Sequence, residues 1–234
     1  IRGMIEIANY YKDDPDKQTE CRQKIWDASG LLLELVNEVL DMGKLESGEI
    51  MLEEREFDLK ELLDSVGMVV DKQARERGIT IITDGYPVEH CCLLGSPLHL
   101  RRLLMNIISN AVKYNRVGGE IRLGCCEKPS ADPETAQIEF TCADTGIGMS
   151  EEFQKHVFEP FAQERNFARS EYGGTGLGMP IAKSLAEKMG GTLSFVSRQG
   201  VGTTFTLSLS FRICHAPEKR NKPKRLLQTS SIAG

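Results

Sequence analysis

Apolar residues recur at spacings of three and four along some stretches of this chain and at a spacing of two along others, so it is built from both helices and strands. Residues 1–11 read as the tail of a helix, Asp13-Asp14-Pro15-Asp16 as a tight connection, and residues 17–44 as a second helix. In that second helix Leu32, Leu35, Val36, Val39 and Leu40 form a stripe wider than one antiparallel partner needs. Two such hairpins would make a four-helix bundle, which predicts a homodimer; the alternative is a stripe that packs on the chain's own globular part. After Gly48 helices and strands alternate. Asp58-Leu59-Lys60-Glu61 is a capping box that opens a helix to about Glu76, and further helices are expected over 98–114 and 179–189. Strands are expected over 79–83, 91–94, 120–125, 136–142, 192–196 and 203–211. Ile138, Phe140 and Cys142 alternate, as do Phe205, Leu207, Leu209 and Phe211, which marks a sheet with one covered face. The pattern predicts a two-layer α/β sandwich preceded by an antiparallel helical hairpin. The divisions are residues 1–50, 51–214 and a basic tail over 215–234.

Composition narrows the function. With 234 residues, 40% of them hydrophobic and 27% charged, the chain can bury a sizeable core. A net charge of −5 offers no general affinity for nucleic acid, and the longest apolar runs fall short of a membrane span. A cytoplasmic location without membrane contact by this region is expected, although a longer protein could be anchored in a membrane. The seven cysteines fit no metal-binding spacing and read as buried, reduced thiols.

Three segments carry chemistry. Asp144-Thr145-Gly146-Ile147-Gly148 places a carboxylate at the end of an apolar strand, followed by bare backbone. Such a carboxylate can accept from an adenine amino group, and it would meet an acceptor in guanine. Alone, the segment is more often just a turn. Gly174-Thr175-Gly176-Leu177-Gly178 stands before the helix that contains Pro180, as a phosphate cradle would. Its spacing fits neither the dinucleotide fingerprint nor a P-loop. On the helix over 98–114, Leu100, Leu104, Ile107 and Ala111 make a buried stripe, while Asn106, Asn110, Lys113 and Tyr114 recur on an adjoining face. Asparagine is a mediocre helix former, so two of them a turn apart suggest a task. Asn110 can offer a neutral oxygen to Mg²⁺, Lys113 can reach a phosphate, and Tyr114 can lie against a nucleotide; the plainer alternative is a solvated face.

These residues resemble the bacterial sensor histidine kinases of two-component systems. Asn106 to Tyr114 is similar to the N box of that family, Asp144 to Gly148 to its G1 box, Phe158-Glu159-Pro160-Phe161 to its F box, and Gly174 to Gly178 to its G2 box. Gly200 to Phe205 resembles the last glycine box, which implies Thr203 near adenine beside Asp144. Leu40 to Gly48 resembles the end of the second dimerisation helix, and Phe57-Asp58-Leu59 the start of the catalytic domain. The resemblance implies an ATP site formed by Asn110, Lys113, Tyr114, Asp144, Gly146, Gly148, Phe158, Phe161, Gly174, Thr175, Gly176, Leu177, Gly178 and Thr203, with Mg²⁺ on Asn110. Asn106, Asn110 and Lys113 are the expected catalytic residues. The stretch after Phe161 looks like an ATP lid, rooted by Phe158 and Phe161, with Arg165 and Arg169 able to approach the phosphates. One departure is Ser96, where family members often carry Asp, and it touches only the local helix cap.

The resemblance further implies transfer of the ATP γ-phosphoryl group to a histidine. None of the histidines, His90, His99, His156 and His215, lies on the first helix. Ile1 to Glu6 resembles the residues just after the acceptor motif, which places the acceptor two to three helical turns before Ile1. The missing initiator methionine agrees with a truncated hairpin. Expected partners are a second copy of the chain and a response-regulator receiver domain, in cis as in hybrid kinases or in trans. Two alternatives remain: a hydrolase of the same superfamily, related to type II topoisomerases or MutL-like ATPases, and a non-catalytic nucleotide-binding module. The hydrolases carry glutamate where Asn106 stands, and a neutral amide cannot activate water.

Overall fold

The computed structural model describes residues 1–164 and 175–214. Helix α1 (Arg2–Tyr10) turns into the long helix α2 (Pro15–Glu46) at Asp14, whose carboxylate accepts from the N–H groups of Asp16 and Lys17 at 3.1 and 3.0 Å. Gln18 ties the turn by donating its side-chain amide to the carbonyls of Ala8 and Tyr11. The α/β part then follows as β1 (Arg55–Asp58), α3 (Leu59–Glu76), β2 (Thr80–Thr83), β3 (Cys92–Gly95), α4 (Pro97–Lys113), β4 (Glu120–Lys128), β5 (Thr135–Asp144), α5 (Glu151–Gln154), α6 (Gly178–Lys188), β6 (Thr192–Arg198) and β7 (Gly202–Ile213).

The strands form one seven-stranded sheet in the order β1-β3-β7-β5-β4-β2, with β6 also on β7. β2 and β4 run parallel, and the other neighbours are antiparallel. β7 makes this arrangement possible by its length: its first part pairs with β6 and its last residues with β3, on the edge facing away from β5. Helices α3, α4 and α6 bury their apolar faces against the sheet. Leu100, Leu104, Ile107 and Ala111 of α4 are all buried, together with Ile138, Phe140 and Cys142 of β5 and the alternating Phe205, Leu207, Leu209 and Phe211 of β7. The expected two-layer α/β sandwich is therefore present.

Two local features differ from the sequence reading. β1 was not anticipated, because four residues with a single partly buried side chain carry too little alternation to register. It is held by pairing with β3 and by Phe57, whose ring meets Phe211 edge-on at 5.6 Å. α5, a single turn capped by Ser150, was also unforeseen. Of the capping box, the Asp58 limb is present, with Glu61 N–H donating at 3.0 Å.

The stripe on α2 divides between two faces. Leu35 and Met42 pack against the core and Leu45 is buried in it, whereas Leu32, Val36, Val39 and Leu40 are exposed. One face of the helix is thus docked on the chain's own α/β part while the adjoining apolar face is uncovered. None of the seven cysteines is bridged; Cys21, Cys125 and Cys142 are buried and the other four are only half-buried, which corrects the expectation of uniform burial. Among the described residues no helix is long and apolar enough to cross a membrane.

Candidate nucleotide site

Sheet register brings the two ends of the candidate site together. Asp144, the last residue of β5, lies opposite Thr203 near the start of β7. The Asp144 carboxylate accepts from Gly146 N–H at 2.8 Å and from Thr203 N–H at 3.3 Å, both at Oδ1. A Cβ at Gly146 would lie 2.4 Å from the Tyr114 carbonyl oxygen, so glycine is required for the turn to reach the end of α4. Ile147 N–H completes that contact by donating to the same carbonyl at 3.1 Å. Burial pushes the Asp144 carboxyl above its ordinary range, and the two N–H donors oppose the rise. Thr203 is held by its hydroxyl, 2.8 Å from Ser197 Oγ, which in turn accepts from Met149 N–H at 2.9 Å.

Helix α4 forms the facing wall. Asn106 donates its side-chain amide to the Gly178 carbonyl at 3.1 Å, fixing α4 against the first residue of α6. Asn110 lies one turn further on, with its amide nitrogen 4.0 Å from where a Cβ on Gly178 would be. The Lys113 ammonium sits 5.0 Å from the centre of the Tyr114 ring, and burial raises the Tyr114 phenol pKa. Between these walls lies a cavity of about 520 Å³. Asn106, Asn110, Lys113, Tyr114, Asp144 and Gly148 line it, and so do Thr175, Gly176, Gly178 and Thr203.

Four residues expected to touch a ligand do not line the cavity. Gly146 shapes the turn from behind, and Leu177 is fully buried in the core. Phe158 packs edge-on against Phe195 at 5.7 Å, with the Lys183 ammonium over its ring, so it secures the segment between α5 and the glycine box. Phe161 has an exposed side chain and holds by its backbone instead: its N–H donates to the Gly176 carbonyl at 3.1 Å. Phe161 is also the one non-glycine with positive φ among the described residues, at 61°. Gly176 has φ of 74°, and a Cβ there would come 2.8 Å from the Phe161 carbonyl carbon. Arg165, Arg169 and Gly174, as well as His215 and the basic tail, lie outside the described residues.

A family model described as "Histidine kinase-, DNA gyrase B-, and HSP90-like ATPase" matches residues 95–213, which include both walls of this cavity. The chain belongs to this ATPase family. Its relatives place it among the sensor histidine kinases. The sensory/regulatory protein RpfC of Xanthomonas campestris is 35% identical over 216 residues, covering 91% of this chain and 29% of its own length. The virulence sensor protein BvgS of Bordetella bronchiseptica is 34% identical over 233 residues, covering 98% of this chain and 18% of its own length. The chain thus spans less than a third of either relative. In structure it is similar to full-length ShkA in complex with AMPPNP, at a TM-score of 0.69 and 27% identity over 86% of this chain and 40% of that one.

The family's cavity has walls that sequence reasoning missed. Ile147 and Met149 line it, and their alternation with Gly146 and Gly148 was the available signal. Ala111, Phe153, Val157 and Phe205 supply further apolar surface. Less readable from sequence is the contribution of α2: Leu31, Leu35 and Glu38 close one end of the cavity. The Glu38 carboxylate accepts from the Thr175 hydroxyl, and Asp41 on the same helix pairs with Arg102 of α4. No motif links residues so distant along the chain.

The histidines lie in other settings. His90 Nδ1 pairs with Glu127 at 2.7 Å, and His156 with Glu159 at 2.9 Å. His99 Nδ1 lies 2.7 Å from Ser96 Oγ, and burial lowers its pKa. Ser96 also accepts from Glu53 N–H at 3.2 Å and makes no side-chain cap for α4, so the departure at this position ties β1's approach to α4 instead of capping the helix.

Proposed function

We propose that this chain binds ATP with Mg²⁺ and transfers the γ-phosphoryl group to a histidine presented by a kinase dimerisation helix. The observation that carries the reading is the Asp144 carboxylate, oriented at Oδ1 by two backbone N–H groups at the edge of a cavity whose opposite wall bears Asn106, Asn110 and Lys113. Oδ2 of Asp144 is then the acceptor for the adenine amino group, with Thr203, Ile147 and Met149 around the base. The structural likeness to ShkA, solved in complex with AMPPNP, supports nucleotide binding.

Asn110 offers the neutral, hard oxygen that suits Mg²⁺, and bound Mg²⁺ supplies charge neutralisation for the phosphates. Lys113 adds a positive charge beside them, and Thr175, Gly176 and Gly178 present the backbone of the phosphate cradle before α6. Arg165 and Arg169 belong to the lid in this reading. Asn106 spends its amide N–H on Gly178 and has no basicity for activating water, which favours transfer to histidine over hydrolysis. In transfer, the bond from the γ-phosphorus to the bridging oxygen of ADP breaks as a bond to the imidazole nitrogen forms. The exposed face of α2 supports homodimerisation through the hairpin, and a response-regulator receiver domain is the onward acceptor.

Calorimetric titration tests the nucleotide assignment. ATP and ADP should bind with Mg²⁺ well ahead of GTP, because guanine sets an acceptor against Asp144. Equal affinity for GTP would remove the assignment.

A further inference from the structure

We infer that Cys92, Cys214 and Glu56 form a zinc site on the outer face of the sheet, remote from the nucleotide cavity. The Sγ atoms of Cys92 and Cys214 and a carboxylate oxygen of Glu56 all lie within 4.8 Å of one another. Strand register produces this grouping. Cys214 N–H donates to the Cys92 carbonyl at 3.0 Å, continuing the ladder in which Leu93 lies opposite Ile213. On the other side of β3, Cys92 lies opposite Asp58 and Leu94 opposite Glu56. Directly paired residues point to the same face, and alternate residues along a strand do likewise. Leu93 is fully buried towards the helices, so Cys92, Cys214 and Glu56 share the opposite, partly exposed face.

The ligand chemistry selects the ion. Zn–S and Zn–O bonds of about 2.3 and 2.0 Å in a tetrahedron require ligand atoms about 3.5–3.8 Å apart, which small side-chain rotations from this arrangement supply. Two thiolates favour zinc over magnesium or calcium, and the carboxylate provides a third anionic ligand. Water completes the tetrahedron at this partly exposed position. Zinc binds cysteine as thiolate, so its binding releases protons. The ion would clamp β1, a four-residue edge strand, to β3 and β7.

The test uses the full 234-residue chain, reduced and stripped of metal. Zinc titration should show one equivalent, and cobalt should give visible ligand-field bands with near-ultraviolet thiolate-to-metal absorption. Cys92→Ser and Cys214→Ser should each weaken zinc on the order of 100-fold or more, and Glu56→Gln about tenfold or more, since losing even a residue that only supports a ligand costs about 10–100-fold. Cys126→Ser serves as the control, since that half-buried thiol lies beside Glu139 on β4 and β5. Zinc should also raise the melting temperature of the parent chain and leave that of the Cys92→Ser/Cys214→Ser double variant unchanged. Because Glu56 is exposed, Glu56→Gln keeps the test valid if a cysteine variant folds poorly. Undiminished zinc affinity in the double variant, or cobalt binding without thiolate absorption, overturns the site. Ready oxidation of Cys92 and Cys214 to a disulfide by added oxidised glutathione, which leaves as two reduced glutathione molecules, without zinc binding by the reduced chain, would overturn it in favour of redox chemistry.

Discussion

In the proposed reading, Asp144 trades stability for recognition. Its pKa is raised by burial, so the ionised carboxylate costs folding free energy above the ordinary aspartate pKa, and that cost is relieved as pH falls through the raised folded value. Asp144→Asn should consequently fold at least as stably as the parent at neutral pH, since an amide oxygen can still accept from Gly146 and Thr203. Its affinity for ATP should nevertheless drop about tenfold or more, because the amide, with its oxygen held by those N–H groups, presents a donor to the adenine amino group. Thermal melts and calorimetry on the same sample separate these effects. Acid should weaken nucleotide binding at a higher pH than an ordinary carboxylate would require. Asn110→Ala should impair phosphoryl transfer far more than it impairs metal-free ADP binding; unchanged transfer at limiting Mg²⁺ would move the metal elsewhere. The gathering of Asp144, Asn110, Gly148, Gly176 and Gly178 around one cavity was legible because they sit in short contiguous segments. Ser197 was not, because it acts on Thr203 and Met149 only after β6 and β7 pair.

Among the elements, α4 and α6 could be read from periodicity, since each buries one full face. β1 could not, because an edge strand of four residues takes its identity from Phe57 packing on Phe211 and from pairing with β3. The stripe on α2 was visible, but its division into a docked face and an exposed face depends on where α6 lies. That docking has a consequence for the cavity. Glu38 sets a carboxylate on the hydroxyl of Thr175, beside the proposed phosphate cradle, and a bound nucleotide would bring further negative charge to it. Glu38→Ala should tighten ATP binding on the order of fivefold at low ionic strength, the scale of one partly screened charge pair. The gain should shrink as salt is added. Weaker binding in this variant would mean that Glu38 supports the nucleotide.

The whole molecule joins a helical hairpin to an ATPase-family domain through a direct contact of α2 with α6 and α4, secured by Glu38 with Thr175 and Asp41 with Arg102. Fold class was readable because the alternating strands and amphipathic helices are each locally consistent. The inter-element contacts were not, because they join residues that no local period relates; the meeting of Cys92 with Cys214 is of the same kind. The central claim is transfer to histidine rather than hydrolysis. Its most direct measurement is to incubate the chain with Mg²⁺ and γ-labelled ATP, together with a longer relative of the chain whose own ATP site is disabled and whose first helix carries a histidine. Acid-labile phosphate on that helix, strongly reduced by Asp144→Asn at sub-saturating ATP, with little free phosphate released, is the predicted result. Label on His90, His99, His156 or His215 of this chain would show the acceptor to be misplaced, whereas rapid ATP hydrolysis with no phosphoprotein would contradict the claim.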